Sequence, residues 1–331
     1  MLRSPSVLVS ALVMLLVGCS PAEPPAEPPA PDPTATSYSA REFFETTSYY
    51  LSGARAWSAD GTRVLLASDE TGTFNAFALS NAEGQREPLT TSTKTPQRPL
   101  SWFPEDDRIL ILADNQGDEL GHVYVRELDG SIRDLTPGDN LKALFVGWSE
   151  DFDHFFVFTN ERDPGAYDLY RYAAADYRRE LVFQNEQVWL PAALSRDGRH
   201  LVLMRNNSSA DNDLFLVNVD GTDEAPRHLT PHEGNISYRA FTFTPDGSQL
   251  VFGTNEHSEF VQAWTYDLAS GETAALIEAE WDVTFVSFSD SGRYRVHGIN
   301  KDARTAVIIE DSEIEEQVEL PGLPDGDLAQ L

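Results

Sequence analysis

The stretch that decides the fold is "AWSADGTRVLLASD", Ala56–Asp69, because its pattern returns along the chain. It is written again as "LSRDGRHLVLMRN" at 194–206 and as "FTPDGSQLVFGTN" at 243–255. Each copy has an apolar residue, a polar turn with Asp and Gly, and then a short apolar run. Ser, Thr and Asp side chains bond nearby backbone amides in turns, and Gly tolerates a positive φ. The pattern therefore predicts a turn that leads directly into a β-strand.

The apolar residue before each turn marks a repeat of nearly constant length. Successive markers are 45, 46, 46, 49 and 45 residues apart, which indicates six copies of one structural unit. Copies two and three carry Asp107 and Phe152 where other copies carry the turn glycine, so we expect those two turns to differ locally. The six markers are Trp57, Trp102, Trp148, Leu194, Phe243 and Phe288.

Each repeat has the content of one propeller blade. The apolar run after the turn predicts a second strand, and a polar loop, a third strand and a further turn follow it. The fourth strand often ends in Leu-Thr, as at Leu89-Thr90, Leu135-Thr136 and Leu229-Thr230. Four short strands in about 46 residues are typical of a blade. The sequence therefore predicts an all-β fold, a β-propeller over 54–331 with six visible four-stranded blades.

The repeat also predicts where side chains are buried. Since one pattern implies one local environment, we expect Trp57, Trp102, Trp148, Phe243 and Phe288 at equivalent buried positions. A complete six-bladed ring and an incomplete seven-bladed ring both remain open. In the second case the sixth blade lacks a neighbour, and we expect greater exposure there than at equivalent positions elsewhere. The residues concerned are Phe285, Val286, Phe288 and the face of Val307, Ile308 and Ile309.

The N-terminus resembles a bacterial lipoprotein signal peptide. Arg3 precedes an apolar run, 7–17, that is too short to span a bilayer comfortably. Residues 16–19, Leu-Val-Gly-Cys, resemble a lipobox, so we expect lipidation of Cys19 and a membrane anchor there. By the lipoprotein sorting pattern, Ser20 favours the outer membrane, with the protein facing the periplasm. Cys19 is the only cysteine, so no internal disulfide can form.

The segments between this signal and the repeats have distinct compositions. Residues 20–37 are rich in proline and predict an extended, semi-rigid tether. Residues 38–53 form a lead-in, in which "REFFETTSYY" at 41–50 predicts a short helical turn. The formal net charge of −30, from 54 acidic and 24 basic residues, makes nucleic acid an unlikely partner.

Longer stretches of the repeats resemble one family. "DLTPGDNLKALFVGWSEDFDHFFVFTNERDPGAYDLYRY" at 134–172 and "AEWDVTFVSFSDSGRYRVHGINKDARTAVII" at 279–309 are similar to the N-terminal propeller of bacterial prolyl oligopeptidase family serine peptidases. The similarity is to the dipeptidyl-peptidase and acylaminoacyl-peptidase-like members. The resemblance implies that an α/β-hydrolase domain with a Ser-Asp-His triad follows the propeller. It also implies that the propeller admits peptides and excludes folded proteins.

The sequence contains no hydrolase nucleophile elbow, G-x-S-x-G. The nearest match, residues 147–151, lacks the second glycine, and its Ser149 occupies the turn position of the third repeat. We therefore assign no catalytic residue and expect the chain alone to be inactive. The next repeat marker would fall near 333, beyond Leu331, which favours truncation before the hydrolase domain.

Metal and cofactor sites are not predicted. His228 and His232 are four residues apart, but Pro231 between them argues against a helical metal motif. Residues 211–213, Asp-Asn-Asp, lack the glycine and the distal glutamate of a calcium loop. The loops between second and third strands are better candidates for contact with a substrate or partner. Candidate residues in these loops are Glu70, Asp118, Glu161, Arg162, Glu256 and His257.

Two functions follow. The first is the substrate-gating propeller of a lipid-anchored peptidase that acts on peptides, with its catalytic domain outside this chain. The alternative is a stand-alone TolB-like propeller lipoprotein that binds other proteins of the cell envelope.

Overall fold

A computed structural model describes residues 38–115, 117–219, 221 and 225–319. The chain divides into two compact units, Met1–Thr46 and Thr47–Leu331. The described part of the first unit holds a short helix, α1 (Ala40–Phe44), in the region where the sequence predicts a helical turn. Its N-cap residue Ser39 forms a capping box with Glu42, which satisfies free amides at the start of the helix.

The second unit is a β-propeller of six four-stranded antiparallel sheets, numbered 1 to 6 in chain order, and the predicted fold class is confirmed. Each sheet is formed by four consecutive strands of the chain. Sheet 1 holds β1 (Tyr49–Leu51), β2 (Arg63–Ser68), β3 (Asn75–Ser80) and β4 (Arg86–Pro88). Sheet 2 holds β5 (Arg98–Trp102), β6 (Ile109–Ala113), β7 (His122–Arg126) and β8 (Ile132–Asp134). Sheet 3 holds β9 (Ala143–Trp148), β10 (His154–Asp163), β11 (Ala166–Ala173) and β12 (Arg179–Phe183). Sheet 4 holds β13 (Leu190–Leu194), β14 (His200–Ser208), β15 (Asp211–Asn218) and β16 (Arg227–His228). Sheet 5 holds β17 (Tyr238–Phe243), β18 (Gln249–Thr254), β19 (Gln262–Asp267) and β20 (Thr273–Ile277). Sheet 6 holds β21 (Val283–Phe288), β22 (Tyr294–Lys301), β23 (Arg304–Asp311) and β24 (Glu316–Gln317).

Sheet 1 begins earlier than residue 54, where the sequence places the start of the propeller. Its first strand, β1, lies in the predicted lead-in and pairs with β2, Leu51 opposite Leu66. The sequence pattern misses this strand because the repeat is recognised at Trp57, which lies beyond the end of β1 and forms an isolated bridge with Val64 of β2.

The repeated turn has the chemistry that its composition predicts. In sheet 1 the Ser58 hydroxyl accepts the Arg63 amide at 3.0 Å and donates to Asp60 at 2.7 Å, and Gly61 has a φ of 68°. The Ser58 bond, with further bonds from Thr62, lowers the pKa of Asp60 to about 2. An equivalent hydroxyl accepts the amide five residues later in four other turns, at Ser149, Ser195, Thr244 and Ser289.

The copy-two turn differs from the rest, as predicted, but the prediction is wrong for the copy-three turn, which keeps the shared geometry. Phe152 keeps the left-handed backbone of the glycine it replaces, with a φ of 60°. Asp107 does not adopt a positive φ, and the copy-two turn instead bonds the amide and guanidinium of Arg108 to Asp106. Phe152 is the unusual case, because aromatic residues seldom adopt this conformation.

Buried apolar clusters lie between successive sheets. Leu65 and Ala76 of sheet 1 pack on Trp102 and Ile109 of sheet 2, and comparable clusters join sheets 2–3, 3–4, 4–5 and 5–6. In the described part of the chain, none of these clusters joins sheet 6 to sheet 1. The boundary between sheets 6 and 1 therefore differs from the other five.

The prediction of equivalent burial for the repeat markers is wrong at Trp57. Trp102 and Phe243 are buried, with exposed fractions of 0% and 5%, whereas Trp57 is 48% exposed. Trp148 and Phe288 are partly buried. The cause is tertiary: each marker packs toward the preceding sheet, and no buried cluster covers sheet 1 from that side.

The face of sheet 6 that points away from sheet 5 is more exposed than the equivalent face of sheet 5, which sheet 6 covers. In sheet 5, Val251, Ala263 and Thr265 pack toward sheet 6 and are buried. The equivalent Val296, Val307 and Ile309 of sheet 6 are only partly buried. Among the other residues for which an incomplete ring predicts greater exposure, Val286 is buried, and Phe285, Phe288 and Ile308 are partly buried.

Turns from non-adjacent sheets meet at the propeller axis. The Arg196 guanidinium of sheet 4 donates to the Asp290 carbonyl of sheet 6 at 2.7 Å. Arg55, beside the first strand of sheet 1, lies 3.5 Å from the Asp290 carboxylate and 5.0 Å from the ring centre of Phe152 in sheet 3. These four residues form the axial cluster, which links sheets 1, 3, 4 and 6.

Candidate functional site

The strand order places the predicted loops on one face of the propeller. The connections from second to third strands and from one sheet to the next share this face, called the loop face. The turns after first and third strands lie on the opposite, hairpin face. The chain enters β1 and leaves β24 on the loop face.

The candidate in sheet 1, Glu70, is bound within its own sheet. Its carboxylate accepts a hydrogen bond from the Tyr49 hydroxyl at 3.1 Å and lies 3.1 Å from the Arg86 guanidinium. Arg86 also lies over the Tyr49 ring, 5.2 Å from its centre. Glu70 therefore ties the start of β1 to the loop after β2.

The candidate in sheet 2, Asp118, shapes its own loop. Its carboxylate accepts the amides of Asn115 and Leu120 at 3.2 and 3.0 Å. A cavity of about 330 Å³ lies beside this loop, lined in part by Asp114, Asn115 and Tyr124. Asp118 positions a wall of this cavity through Asn115.

The sequence predicts that Glu161 and Arg162 lie in a loop, but both lie within strand β10. The hairpin of sheet 3 is long: β10 and β11 stay paired past a bulge, to Asp163 opposite Ala166. Glu161 accepts from Arg179 at 2.9 and 3.1 Å. The extended hairpin leaves only 164–165 as the turn.

Arg162 forms a bidentate ion pair with a buried carboxylate. Its guanidinium lies 2.7 and 2.8 Å from the two oxygens of Asp168, whose side chain is almost fully buried. The amide of Asn185 donates to the same carboxylate at 2.8 Å. The hydrogen bonds to Asp168 raise the pKa of Arg162. A guanidinium engaged in this way supports the hairpin and is not free to bind a ligand.

Glu256 and His257 are the candidates that contact each other. Glu256 accepts from the Tyr238 hydroxyl at 2.9 Å, and His257 Nε2 lies 3.6 Å from Glu256 Oε2. Burial and the Glu256 carboxylate together raise the pKa of Tyr238. The half-exposed His257 ring packs on Trp264, with ring centres 4.4 Å apart. This pair offers a carboxylate and an imidazole that packs on the Trp264 ring, an arrangement suited to binding a cationic or aromatic group of a ligand.

Sequence reasoning missed a polar cluster in sheet 4. Asp213 accepts from His228 Nε2 at 2.8 Å, Arg205 at 2.6 Å and Asn207 at 2.9 Å. These bonds outweigh the opposing effect of burial, so the pKa of Asp213 is lowered. A signal was present: strand alternation places the first and third residues of Asp211-Asn212-Asp213 on one face.

Ser149 has the turn role that the repeat predicts. Its hydroxyl donates to Asp151 at 2.6 Å and accepts the His154 amide at 3.0 Å. Across the described ranges, no group of three or more His, Cys, Asp or Glu side chains is placed to hold a metal ion. No helix in the same ranges is long and apolar enough to cross a membrane.

Comparison with known proteins supports the resemblance seen in the repeats. Dipeptidyl aminopeptidase BIII of Pseudoxanthomonas mexicana is 25% identical over 224 residues, which are 67% of this chain and 32% of that protein. The chain is homologous to this aminopeptidase. It spans about a third of the length of the relative. No family model matches the chain.

Solved structures show the same propeller. A prolyl endopeptidase superposes with a TM-score of 0.60 at 15% identity, covering 84% of this chain and 44% of that chain. A puromycin-hydrolysing peptidase of Mycobacterium tuberculosis gives 0.60 at 16% identity, covering 82% and 46%. An oligogalacturonate lyase in complex with manganese gives 0.63 at 14% identity, covering 82% and 77%. The predicted likeness to prolyl oligopeptidase propellers is confirmed.

Proposed function

We propose that this chain is the substrate-selecting propeller of a peptidase related to dipeptidyl aminopeptidases. The observation that carries the proposal is the sequence homology to an aminopeptidase of which the chain covers 32%. The chain has no G-x-S-x-G sequence, so in this proposal a separate α/β-hydrolase domain supplies the nucleophile. A hydrolase joined after β24 lies against the loop face, because the chain leaves sheet 6 there.

The loop face supplies the contacts that select the substrate in this proposal. Glu256 and His257 have the most accessible chemistry of the predicted residues, since Glu70, Glu161 and Arg162 are held in ion pairs. A carboxylate at this position favours peptides with a cationic group. The propeller limits access by size, so that short peptides pass and folded proteins do not.

The proposed location is the periplasmic side of the outer membrane. Cys19, in the sequence Leu-Val-Gly-Cys, is the proposed lipidation site, and 20–37 is the proposed tether. Both lie outside the described residues. Several acyl chains on one cysteine give stable anchoring, at about 0.8 kcal/mol per buried methylene.

Peptide binding to the full chain tests the proposal. Tryptophan fluorescence reports binding, because Trp264 lies under His257. We expect short cationic peptides to change the fluorescence, and Glu256→Gln or His257→Ala to weaken that response. Glu83→Gln, in an exposed turn on the hairpin face, is the matched control. A flat titration, or equal weakening by the control, contradicts the proposal.

The alternative proposal is a stand-alone binding propeller of the cell envelope. The likeness to the oligogalacturonate lyase is compatible with it, because that likeness covers 77% of the lyase chain, so a propeller of this fold can make up most of a protein. Crosslinking in whole cells separates the two proposals. A stable envelope protein captured through the loop face supports the alternative, and a hydrolase captured there supports the peptidase.

A further inference from the structure

The segment that connects sheets 4 and 5, residues 229–237, is held at its ends by β15. Leu214 donates its amide to the Thr230 hydroxyl at 2.8 Å, and the Asn212 amide donates to the Ile236 carbonyl at 3.1 Å. Asn212 also exchanges side-chain bonds with the backbone of Tyr238 at 2.7 and 2.9 Å. Between these anchors, the hydrogen bonds described for 231–235 all come from His232.

His232 faces an acceptor with each ring nitrogen. Nδ1 lies 2.9 Å from the Thr230 carbonyl oxygen, and Nε2 lies 2.9 Å from Asp211 Oδ1. A carbonyl can only accept, so Nδ1 must carry a proton. A neutral imidazole then has a bare Nε2 facing a carboxylate, which is a repulsive contact. The observed geometry therefore requires one extra proton on the His232–Asp211 pair.

The surroundings of His232 favour this proton. The side chain is 6% exposed, and Asp213 Oδ1 lies 3.6 Å from Nδ1. Asp213 is itself bound to Arg205, Asn207 and His228, so its carboxylate is ionised and fixed. The Tyr238 ring packs on the imidazole, with ring centres 5.3 Å apart.

We propose that His232 and Asp211 form a protonation-dependent clasp that fixes the middle of the 229–237 connection on the loop face. When the pair loses its proton, the bond to Asp211 becomes a repulsion, and residues 231–235 are released between their two anchors. Tyr238 contacts both sides, because its ring packs on His232 and its hydroxyl donates to Glu256. The clasp lies wholly within this chain, so it can operate whether or not the chain serves a peptidase.

The direction of the pH dependence follows from the charges. Burial by itself lowers the pKa of His232, but the bonds to Thr230 and Asp211 and the charges of Asp213 and Asp211 outweigh it, so the pKa is raised above 6.5. A raised histidine pKa gives stability that is fully present below the unfolded value of 6.5. That stability is lost as the pH rises through the folded value. The clasp is therefore closed below the folded pKa of His232 and opens as the pH rises through that pKa.

A histidine NMR titration of the full chain tests the clasp. The chain has seven histidines, and His232→Gln assigns the resonance of His232 by its disappearance. We expect His232 to titrate above 6.5, and amide exchange at 231–235 to increase over the same pH range. Asp211→Asn removes the attracting charge while burial remains, so the pKa of His232 should fall. His154→Gln, on the hairpin face, should leave both measurements unchanged.

Two results overturn the proposal. One is a His232 resonance that titrates at or below 6.5 in the folded wild-type protein, which needs no variant. The other is exchange at 231–235 that does not change with pH while His232 titrates. Neither result bears on peptide binding at Glu256 and His257, so failure of the clasp and failure of the proposed function are distinguishable.

Discussion

At the residue scale, the most informative departure from the repeat is Phe152. It adopts the backbone that Gly61, Gly198, Gly247 and Gly292 adopt in the equivalent turns. A left-handed conformation costs a side chain about 1 kcal/mol or more relative to glycine. The ring of Phe152 recovers part of this cost by packing under the Arg55 guanidinium, 5.0 Å away.

Two substitutions at position 152 distinguish the cost of the backbone conformation from the contribution of the ring contact with Arg55. Phe152→Ala and Phe152→Gly both remove the contact with Arg55, but only glycine relieves the backbone. We expect Phe152→Gly to be more stable than Phe152→Ala by about 1 kcal/mol in urea unfolding. Gly61→Ala is the reference, because its new Cβ meets no atom within 4 Å and so reports the backbone cost alone. Equal stabilities at position 152 would show that the backbone there is not strained.

At the scale of elements, the long hairpin of sheet 3 depends on one ion pair. Arg162 comes from the end of β10 and Asp168 from β11, and the two pair across the hairpin at 2.7 Å. Asp168 is buried, so its charge is compensated chiefly by Arg162 and the Asn185 amide. The element therefore contains a charge that is costly to leave unpaired.

Substitution of Arg162 tests whether its role is structural. Arg162→Ala leaves a buried carboxylate without its cation, and we expect a loss of about 3 kcal/mol in the free energy of unfolding. Arg171→Ala breaks an exposed pair with Glu180 in the same sheet and should cost less than about 1 kcal/mol. Arg162→Ala combined with Asp168→Asn should recover part of the loss. Similar values for Arg162→Ala and Arg171→Ala would contradict the structural role.

At the scale of the whole molecule, the boundary between sheets 6 and 1 is the least buried. The other five boundaries hold apolar clusters, whereas here the described contacts include the exposed pair of Arg55 and Asp290 at 3.5 Å. An exposed ion pair of this kind contributes about 0–1 kcal/mol. Asp311 is the one residue of β23 that is buried, so sheet 6 has less buried apolar surface than sheets 2 to 5.

Hydrogen exchange measures this difference directly. We expect amides of β22 and β23 to exchange faster than those of β18 and β19 in sheet 5, which have the same pairing but a covered outer face. The comparison is internal to one sample, so solution conditions cancel. Equal protection in sheets 5 and 6 would show that another part of the chain covers sheet 6.

Membrane attachment also belongs to the whole molecule. If the anchor is the lipid on Cys19, Cys19→Ser should move the protein from the membrane fraction to the soluble fraction of the cell. Ser20→Ala is the matched control, since it changes the neighbouring residue and keeps the thiol. Retention of the Cys19→Ser protein in the membrane fraction would refute the lipobox assignment.

The sequence by itself determined the unit of the fold. The turn bonds of Ser58 and Asp60 join residues within five positions of each other, so residue type and spacing specify them without the rest of the molecule. The period of the repeat then fixes the number of sheets and the strand order. For the same reason the sequence placed Glu70, Asp118, Glu256 and His257 on loops of one face.

Only the tertiary structure decided what these residues touch. The pairs that matter join distant positions: Asp211 and His232 are 21 residues apart, and Arg55 and Asp290 are 235 apart. Trp57 and Trp102 share one local pattern and differ in burial, because burial depends on the neighbouring sheet and not on the turn. Local hydrogen bonds are encoded in short stretches of sequence, whereas packing and ion pairing are set by which sheets the propeller brings together.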